Sequence, residues 1–207
     1  MVRERVKNRD FHDVNLIPFP AEETPFNFQG LYPLPNPLEV DIGCGRGRFL
    51  LARAGGHSGT NFLGIDRSLL RLKKIDRKAA ATGISNIRLL NGDALRVLPL
   101  LHGQSVSTFY LFFPDPWPKR RHHHFRIVSP LFLDLIFRAL IPGGTLHLCT
   151  DHGEYFEFML KQARLDSRFQ EVEPFLPTEE EKTDFELIFR AQNRPANRCS
   201  IRKRLIH

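Results

Sequence analysis

The sequence predicts an α/β fold in which a doubly wound, mostly parallel sheet of seven strands has helices on both faces. Two observations favour this fold. A short apolar run is followed by a segment of helical periodicity five times in succession, between residues 38 and 164. The apolar runs are also nearly continuous, as in parallel strands that are buried on both faces. Right-handed crossovers between such units build a doubly wound sheet.

The predicted strands all lie beyond residue 37. They are 38–42, 61–65, 86–90, 105–113, 145–150, 169–175 and 198–205. In the last strand, Cys199, Ile201 and Leu205 alternate with arginines. We therefore expect those three side chains to point inward and the strand to lie at or near an edge of the sheet.

Helices are predicted between these strands from apolar periodicity and from the residues at their ends. The predicted helices are 48–54, 69–82, a short one that ends near 98, 130–141, 154–164 and 179–192. Ser68 and Gly83 are suited to cap the two ends of the second helix. The Pro-Gly-Gly sequence at 142–144 is expected to end the fourth helix, and Thr178 has capping-box spacing with Glu181 for the sixth.

The chain is predicted to contain one domain and an N-terminal arm. Residues 1–37 contain six prolines and no sustained periodicity, so we expect an irregular proline-rich arm that lies on or off the domain. Residues 38–207 form the single predicted domain. A length of 207 residues suits one α/β domain with a substantial core and is short for two.

The composition favours a polyanionic partner. The formal net charge is +7 and the isoelectric point is near 9.7, which suits nucleic acid or an anionic surface. Basic residues concentrate at 119–126 and 190–204, with a smaller group at 67–78. Solvated basic faces that bind no partner remain the alternative.

Membrane and metal chemistry are not indicated. No apolar run approaches the length that spans a bilayer, and the basic first ten residues lack the apolar stretch of a secretory signal, so we expect no membrane and a cytoplasmic location. The three widely spaced cysteines give neither a disulfide framework nor a zinc signature. The adjacent His122, His123 and His124 cannot readily converge on one ion, so we expect no metal.

Carboxylates lie at or just after the carboxyl ends of the first five predicted strands. They are Asp41, Asp66, Asp93, Asp115 and Asp151. Aspartate is a common turn residue, so one example alone has a structural explanation. Ligands of open parallel sheets, however, bind outside the carboxyl ends of the strands, where all five are expected.

A glycine loop follows the first strand. Asp41 begins a pattern with Gly43, Gly45 and Gly47 that resembles the first motif of S-adenosylmethionine-dependent methyltransferases. The dinucleotide fingerprint requires its third glycine where Arg48 stands. We expect these glycines to let the backbone approach the cofactor closely.

The carboxylates suggest how such a cofactor is held. Asp41 is expected to bind the ammonium end of S-adenosylmethionine, and Asp66 both ribose hydroxyls. Asp93 is then expected near the adenine edge.

The most unusual stretch of the chain is 112–124. Asp115 stands between Pro114 and Pro116, which favour an extended backbone there. Trp117 follows and either stacks on a base or fills the edge of the core. The cations after it suit phosphate groups.

Five segments together resemble the bacterial tRNA (guanine-N7-)-methyltransferases. They are 41–47, 64–66, 113–123, 150–151 and 183–186. The resemblance covers about 38–204 and implies a Rossmann-like class I methyltransferase fold. It also implies transfer from S-adenosylmethionine to N7 of a variable-loop guanine in tRNA, with S-adenosylhomocysteine as product. The partner is then tRNA, and the protein a monomer or small homo-oligomer.

The same resemblance implies roles for individual residues. Asp115 is the implied catalytic carboxylate. The implied substrate contacts are Lys119, Asp151, Thr183 and Glu186. The implied RNA contacts are Arg120, Arg121, His122, His123 and Arg126. The chain departs from the family pattern at His124 and Phe125, where further cations are usual.

The target chemistry needs no general base. Guanine N7 carries a free lone pair and no proton, so positioning and charge dominate, and Asp115 is expected to orient the guanine and stabilise the developing cation. Two alternatives remain open. One is a class I methyltransferase that acts on another RNA, a protein or a small molecule, and the other is a non-catalytic RNA-binding protein.

Overall fold

A computed structural model describes residues 14–19 and 26–205. The strands are β1 (Leu16–Ile17), β2 (Leu38–Ile42), β3 (Asn61–Asp66), β4 (Ile87–Asn91), β5 (Val106–Phe112), β6 (Leu140–Thr150), β7 (Phe169–Val172) and β8 (Asn197–Lys203). The α-helices are α1 (Arg48–Gly56), α2 (Leu69–Thr82), α3 (Ala94–Val97), α4 (Pro130–Ala139), α5 (Gly153–Leu165) and α6 (Asp184–Ala191). The short 3₁₀ segments are Phe28–Leu31, Leu98–Leu100 and Arg120–Phe125.

All described strands form one sheet in the order β1-β4-β3-β2-β5-β6-β8-β7. The strands from β1 to β6 pair in parallel, and β8 is antiparallel to both of its neighbours. The chain moves outward in one direction from β2 to β4 and in the other from β5 to β7, and β8 then returns to lie between β6 and β7. The predicted doubly wound, mostly parallel sheet is therefore confirmed, and all seven predicted strands are present.

The sheet also contains an eighth strand, β1, which comes from the arm. Leu16 and Ile17 pair with Leu89 and Leu90 of β4. Farther along the arm Tyr32 is buried, and its hydroxyl donates to the Phe62 carbonyl at 2.7 Å. The described part of the arm thus packs on the domain. A strand of two residues is too short to show an alternating pattern, so the sequence predicted only irregular structure there.

Helices cover both faces of the sheet. α1 and α2 pack on one face through Leu50, Leu72 and Ile75. On the other face α4 and α5 contribute Phe132 and Tyr155 to the larger core cluster, which α3 also joins. Within the described residues, no helix combines the length and the apolar character that crossing a membrane requires.

β6 begins earlier than the sequence predicted. Helix α4 ends at Ala139, and Leu140 already pairs with Val106 of β5, so the Pro-Gly-Gly sequence lies within the strand and not at the end of the helix. The pairing shifts register between Val106 and Thr108. Gly143 has a φ of +77°, which allows the chain to bend and continue as a strand.

The start of the last helix also differs from the prediction. Thr178 and Glu181 form the two capping-box bonds, at 3.2 and 3.4 Å, but they close only a turn. Arg48 of α1 donates its Nε to the Lys182 carbonyl at 2.9 Å, which removes that acceptor from any continuing helix. α6 begins instead after Thr183, whose Oγ1 accepts from the Glu186 amide.

The final strand lies one place from the edge, between β6 and β7. Cys199 and Ile201 are buried as predicted, whereas Leu205 is exposed because β8 ends at Lys203. The inward position predicted for Leu205 was therefore wrong.

Candidate functional site

The site lies where the sheet order reverses. β2 pairs with β3 on one side and with β5 on the other, and Ile42 is opposite Leu111 close to the ends of both strands. The glycine loop after β2 and the proline-rich loop after β5 therefore leave the sheet side by side. This point of an open parallel sheet is where ligands bind.

The three glycines of the first loop all have left-handed backbone conformations, but for two different reasons. A Cβ on Gly47 would lie 2.5 Å from the Ile75 side chain, so this glycine allows α1 to begin tightly against α2. A Cβ on Gly43 would meet nothing within 4 Å, and on Gly45 only the Gly43 carbonyl at 3.8 Å. The backbone at Gly43 and Gly45 is thus open to a ligand.

A pocket lies between this loop and helix α6. The loop side is formed by Asp41, Gly43, Cys44 and Gly45, with Arg71 of α2 beside them. Thr183, Phe185 and Ile188 form the opposite side. The sequence pattern did not reveal the roles of Phe185 and Ile188, because two half-exposed apolar residues on a surface helix carry no distinctive spacing.

Asp41 lies in this pocket with its carboxylate unpaired. Its side chain is 5% exposed, and it has no hydrogen-bond or ion-pair partner in the part of the chain that the structure describes. Burial, and after it the charge of Asp66, raises the pKa of Asp41 to about 7. A buried carboxylate without a partner is costly, so a cationic, hydrogen-donating ligand group fits here.

Asp66 is also buried, but it is already hydrogen-bonded. Its Oδ2 accepts from the Gly45 amide at 2.9 Å, and its Oδ1 accepts from the Ser68 amide at 2.8 Å. These bonds hold the glycine loop and the start of α2 around one carboxylate. Arg71 is 3.7 Å away, at the rim of the pocket.

Asp93 caps helix α3 and is partly exposed. Its Oδ1 accepts from the Leu95 amide at 2.9 Å, and its Oδ2 from the Nε of Arg67 at 2.8 Å. Burial opposes the ionised form of Asp93, but these hydrogen bonds outweigh it, so the pKa of Asp93 is lowered.

The second loop presents Asp115 to solvent. Phe113 and Trp117 on either side have φ values of +53° and +45°, which are unusual for residues with a Cβ. The Phe113 amide donates to the Cys149 carbonyl of β6 at 2.7 Å and fixes the start of the loop. Asp115 itself is exposed, and its carboxylate has no partner within residues 14–19 and 26–205. Such backbone conformations persist only where surrounding contacts enforce them.

Trp117 packs within its own segment. Its ring lies 5.0 Å from Phe125 and 5.8 Å from His122, in an edge-on arrangement with the latter. The ring is partly exposed, so stacking on a base stays a prediction.

The cations of this segment fall into two groups. Lys119, Arg120 and Arg121 are exposed, and His122 and His123 are partly buried. The side chain of Arg126, in contrast, is 2% exposed. Its Nε donates to the Pro116 carbonyl at 3.0 Å, and its Nη2 to Glu154 at 3.1 Å. The guanidinium that the resemblance assigned to RNA therefore points into the protein.

The remaining predicted site residues border the same region. Asp151 follows β6 and forms an ion pair with Arg194. Glu186 is buried and pairs with Arg198 of β8. The sequence pattern placed Arg194 and Arg198 in a basic cluster but did not reveal their carboxylate partners, because these pairs depend on how helices and strands pack.

Cys44 is not prepared to act as a nucleophile. Burial, followed by the charges of Asp41 and Asp66, raises the pKa of Cys44 well above its usual value. All three cysteines are buried and free. Among the described residues, no group of three or more histidine, cysteine or acidic side chains is arranged to hold a metal ion.

This chain is similar in sequence to a family of known proteins. A family described as "Putative methyltransferase" matches residues 35–198. The tRNA (guanine-N(7)-)-methyltransferase of Halorhodospira halophila is 39% identical over 145 residues, which are 70% of this chain and 63% of the relative. The one of Chlorobium phaeobacteroides is 36% identical, over 75% and 76% of the two chains. The chain spans 63% and 64% of the length of the first two curated relatives.

Solved structures support the fold at lower identity. The 16S rRNA methyltransferase KamB has a TM-score of 0.62 and 19% identity, over 81% of this chain and 87% of that one. The aminoglycoside resistance methyltransferase NpmB1 has a TM-score of 0.60 and 21% identity, over 83% and 88%. The architecture is that of class I methyltransferases. Together with the sequence matches, it shows that this chain belongs to the tRNA (guanine-N7-)-methyltransferase family.

Proposed function

We propose that this protein transfers a methyl group from S-adenosylmethionine to N7 of a guanine in the variable loop of tRNA. One observation carries the proposal. An open glycine loop with a buried, unpaired carboxylate stands next to an exposed aspartate that is followed by exposed cations, at the switch point of the sheet. The names of the family relatives agree with this activity.

The first loop is the donor side of the proposed site. S-adenosylmethionine supplies an electrophilic methyl group on a sulfonium. Asp41 accepts hydrogen bonds from the amino group of the donor, which gives its buried carboxylate the cationic partner that it lacks in the described residues. The backbone at Gly43 and Gly45 lies against the donor because no side chain intervenes. Gly47 keeps helix α1 packed behind the loop.

Asp66 and Asp93 complete the donor side. Asp66 is held by the Gly45 and Ser68 amides in an orientation from which it accepts the ribose hydroxyls. Asp93 lies at the next strand end and borders the adenine. Phe185 and Ile188 of α6 line the opposite side of the pocket and supply an apolar surface for the donor.

The second loop is the acceptor side. Asp115 accepts hydrogen bonds from the guanine and stabilises the positive charge that develops on the ring during transfer. Because N7 has a free lone pair, no side chain has to remove a proton. The family resemblance implies nucleotide contacts for Lys119, Thr183, Glu186 and Asp151. In the ligand-free protein Glu186 is paired with Arg198 and Asp151 with Arg194.

Exposed cations hold the RNA backbone. Arg120 and Arg121 extend from the loop toward solvent, and His122 and His123 follow in the same 3₁₀ segment. Their contacts with phosphates make binding dependent on salt. The proposal includes a cytoplasmic location and a monomer or small homo-oligomer.

The direct test is methyl transfer to unmodified tRNA. The purified full chain is incubated with donor labelled in the methyl group and a tRNA transcript, and the modified base is mapped. We expect label on N7 of one variable-loop guanine. Label on another base, on protein or small molecules only, or donor binding without any transfer would each contradict the proposal.

A further inference from the structure

Arg126 lies directly beneath the loop that carries Asp115. Its Nε donates to the carbonyl of Pro116, the residue after Asp115, at 3.0 Å. Its backbone amide donates to the His123 carbonyl, also at 3.0 Å. Arg126 thus connects Pro116, just before the basic segment 119–126, with His123 inside it.

The guanidinium is held firmly in this place. It lies 5.0 Å from the ring centre of Tyr155 and 5.1 Å from that of Phe158, both on α5. Glu154 on the same helix accepts from Nη2 at 3.1 Å, and this hydrogen bond lowers the pKa of Glu154. Ring stacking and hydrogen bonds from two different nitrogens to two separate acceptors together use the planar fork of arginine.

The Asp115 loop needs such an anchor. Phe113 and Trp117 have positive φ, and the Asp115 side chain has no hydrogen-bond or ion-pair partner among the described residues, so its own side-chain contacts do not fix its position. The Phe113 amide fixes the loop before Asp115, through Cys149. Arg126 supplies the contact after it.

We propose that Arg126, with Glu154 as its partner, is a positioning residue that holds Asp115 in place for methyl transfer and that it does not contact RNA. The inference rests on the proposed function and deepens it. A guanidinium that is 2% exposed and already has two acceptors offers little to a phosphate. The exposed Arg120 and Arg121 are suited to that role.

The kinetic test compares Arg126→Met with Arg126→Lys and uses Arg121→Met as the control. We expect both Arg126 variants to lower kcat roughly 100-fold, as small misplacements of reacting groups do, with little change in KM for tRNA. Lysine keeps the charge but cannot make the same forked contact, so it does not restore kcat. Arg121→Met should instead raise KM and reduce the salt dependence by about one counterion.

Two kinetic results would overturn the inference. One is a raised KM and a reduced salt dependence in Arg126→Met with kcat intact, which marks a phosphate contact. The other is full restoration of kcat by lysine, which shows that only the charge matters. If methionine disturbs folding, Arg126→Lys alone still tests the inference, because wild-type kcat in this variant would overturn it.

A second readout does not depend on activity. Trp117 is the only tryptophan of the chain and is two residues from Asp115, so its fluorescence reports the loop directly. We expect a red shift and stronger quenching by acrylamide in Arg126→Lys, but a wild-type spectrum in Arg120→Met, because the exposed Arg120 side chain has no hydrogen-bond, ion-pair or ring partner among the described residues. If wild-type protein methylates no tRNA, the proposed function fails, yet this measurement still tests the anchor. An unchanged Trp117 spectrum in Arg126→Lys would overturn it.

The contribution of Glu154 is tested with Glu154→Ala, and Glu157→Ala is the matched control. Glu157 is also exposed and lies three residues farther along α5. Glu154→Ala should shift Trp117 fluorescence and lower kcat in the same direction as Arg126→Lys, because the guanidinium loses one of its two acceptors. Glu157→Ala should do neither. Identical behaviour of the two alanine variants would remove Glu154 from the proposal.

Discussion

Asp41 and Asp115 are both aspartates at the carboxyl edge of the sheet, and their surroundings are opposite. Asp41 is 5% exposed and its pKa is raised to about 7, chiefly by burial. Asp115 is exposed and lies in a loop whose neighbours have strained backbones. The first environment makes ionisation depend on a cationic partner. The second leaves the carboxylate accessible to a substrate.

The pKa of Asp41 makes donor binding dependent on pH. The ionised carboxylate is the form that binds the donor amino group, so affinity should fall as pH drops below about 7, by up to about tenfold per pH unit. Calorimetric titration with S-adenosylhomocysteine at pH 8 and pH 6 measures this change. In Asp41→Asn the affinity should be weak and insensitive to pH over that range. Equal affinities of the wild type at both pH values would contradict the assignment.

The same group affects stability in the opposite sense. The pKa of Asp41 is higher in the folded protein than in the unfolded chain, so between pH values of about 4 and about 7 the folded, ligand-free protein binds more protons than the unfolded chain. Its free energy of unfolding therefore falls as the pH rises through this range. Asp41→Asn should therefore stabilise the ligand-free protein at pH 8, by roughly 4 kcal/mol at most. Urea unfolding of both proteins at pH 8 measures the difference.

Among the elements, α6 shows why spacing alone misplaces a helix start. Thr178 and Glu181 make the predicted reciprocal hydrogen bonds, yet the turn does not continue as a helix. Arg48 donates to the Lys182 carbonyl, and Arg53 donates to the Glu181 carboxylate. Both arginines belong to α1, far away in sequence. Local spacing contains no information about such tertiary contacts.

Thr183 should determine the stability of α6. Its Oγ1 accepts from the Glu186 amide, and loss of such a cap costs about 1 kcal/mol. We expect Thr183→Ala to increase amide hydrogen exchange across 184–191, and so to loosen the side of the pocket formed by Phe185 and Ile188. Hydrogen exchange followed by mass spectrometry measures this without any activity assay.

Thr178→Ala is the matched control for that experiment. Thr178 accepts from the Glu181 amide in a turn that lies outside the helix. Exchange within 184–191 should therefore stay at the wild-type level. The same increase in both variants would show that the turn and α6 open together, contrary to the separate roles described above.

At the scale of the whole molecule, the parallel sheet and its switch point were predictable, because long apolar strands and glycine loops are local signals. Asp41, Asp66 and Asp115 could be placed at strand ends for the same reason. The inward orientation of Arg126 could not be predicted, since it depends on Glu154 of a later helix. Strand β1 could not be predicted either, because its two residues form a strand only by pairing with β4.

The arm is joined to the domain by a buried polar contact. Asp76 of α2 is 3% exposed and accepts from the amide and the Nδ2 of Asn15, at 3.1 and 2.8 Å. Asn15→Ala leaves a buried carboxylate with one partner fewer, which should cost about 1–3 kcal/mol in urea unfolding. Asn36→Ala is the control, since within the described residues its side chain makes a single exposed hydrogen bond, to the Ser58 carbonyl at 3.4 Å. Equal unfolding midpoints for both variants would contradict this role of the arm.

The central claim is that the two loops at the switch point divide the work, one holding the donor and the other the acceptor. Single-turnover methylation of tRNA by Asp115→Asn, at saturating donor, tests it most directly. We expect the rate to fall about 10²–10³-fold while donor affinity stays at the wild-type value. A wild-type rate in Asp115→Asn, or a loss of donor affinity equal to that of Asp41→Asn, would contradict the claim.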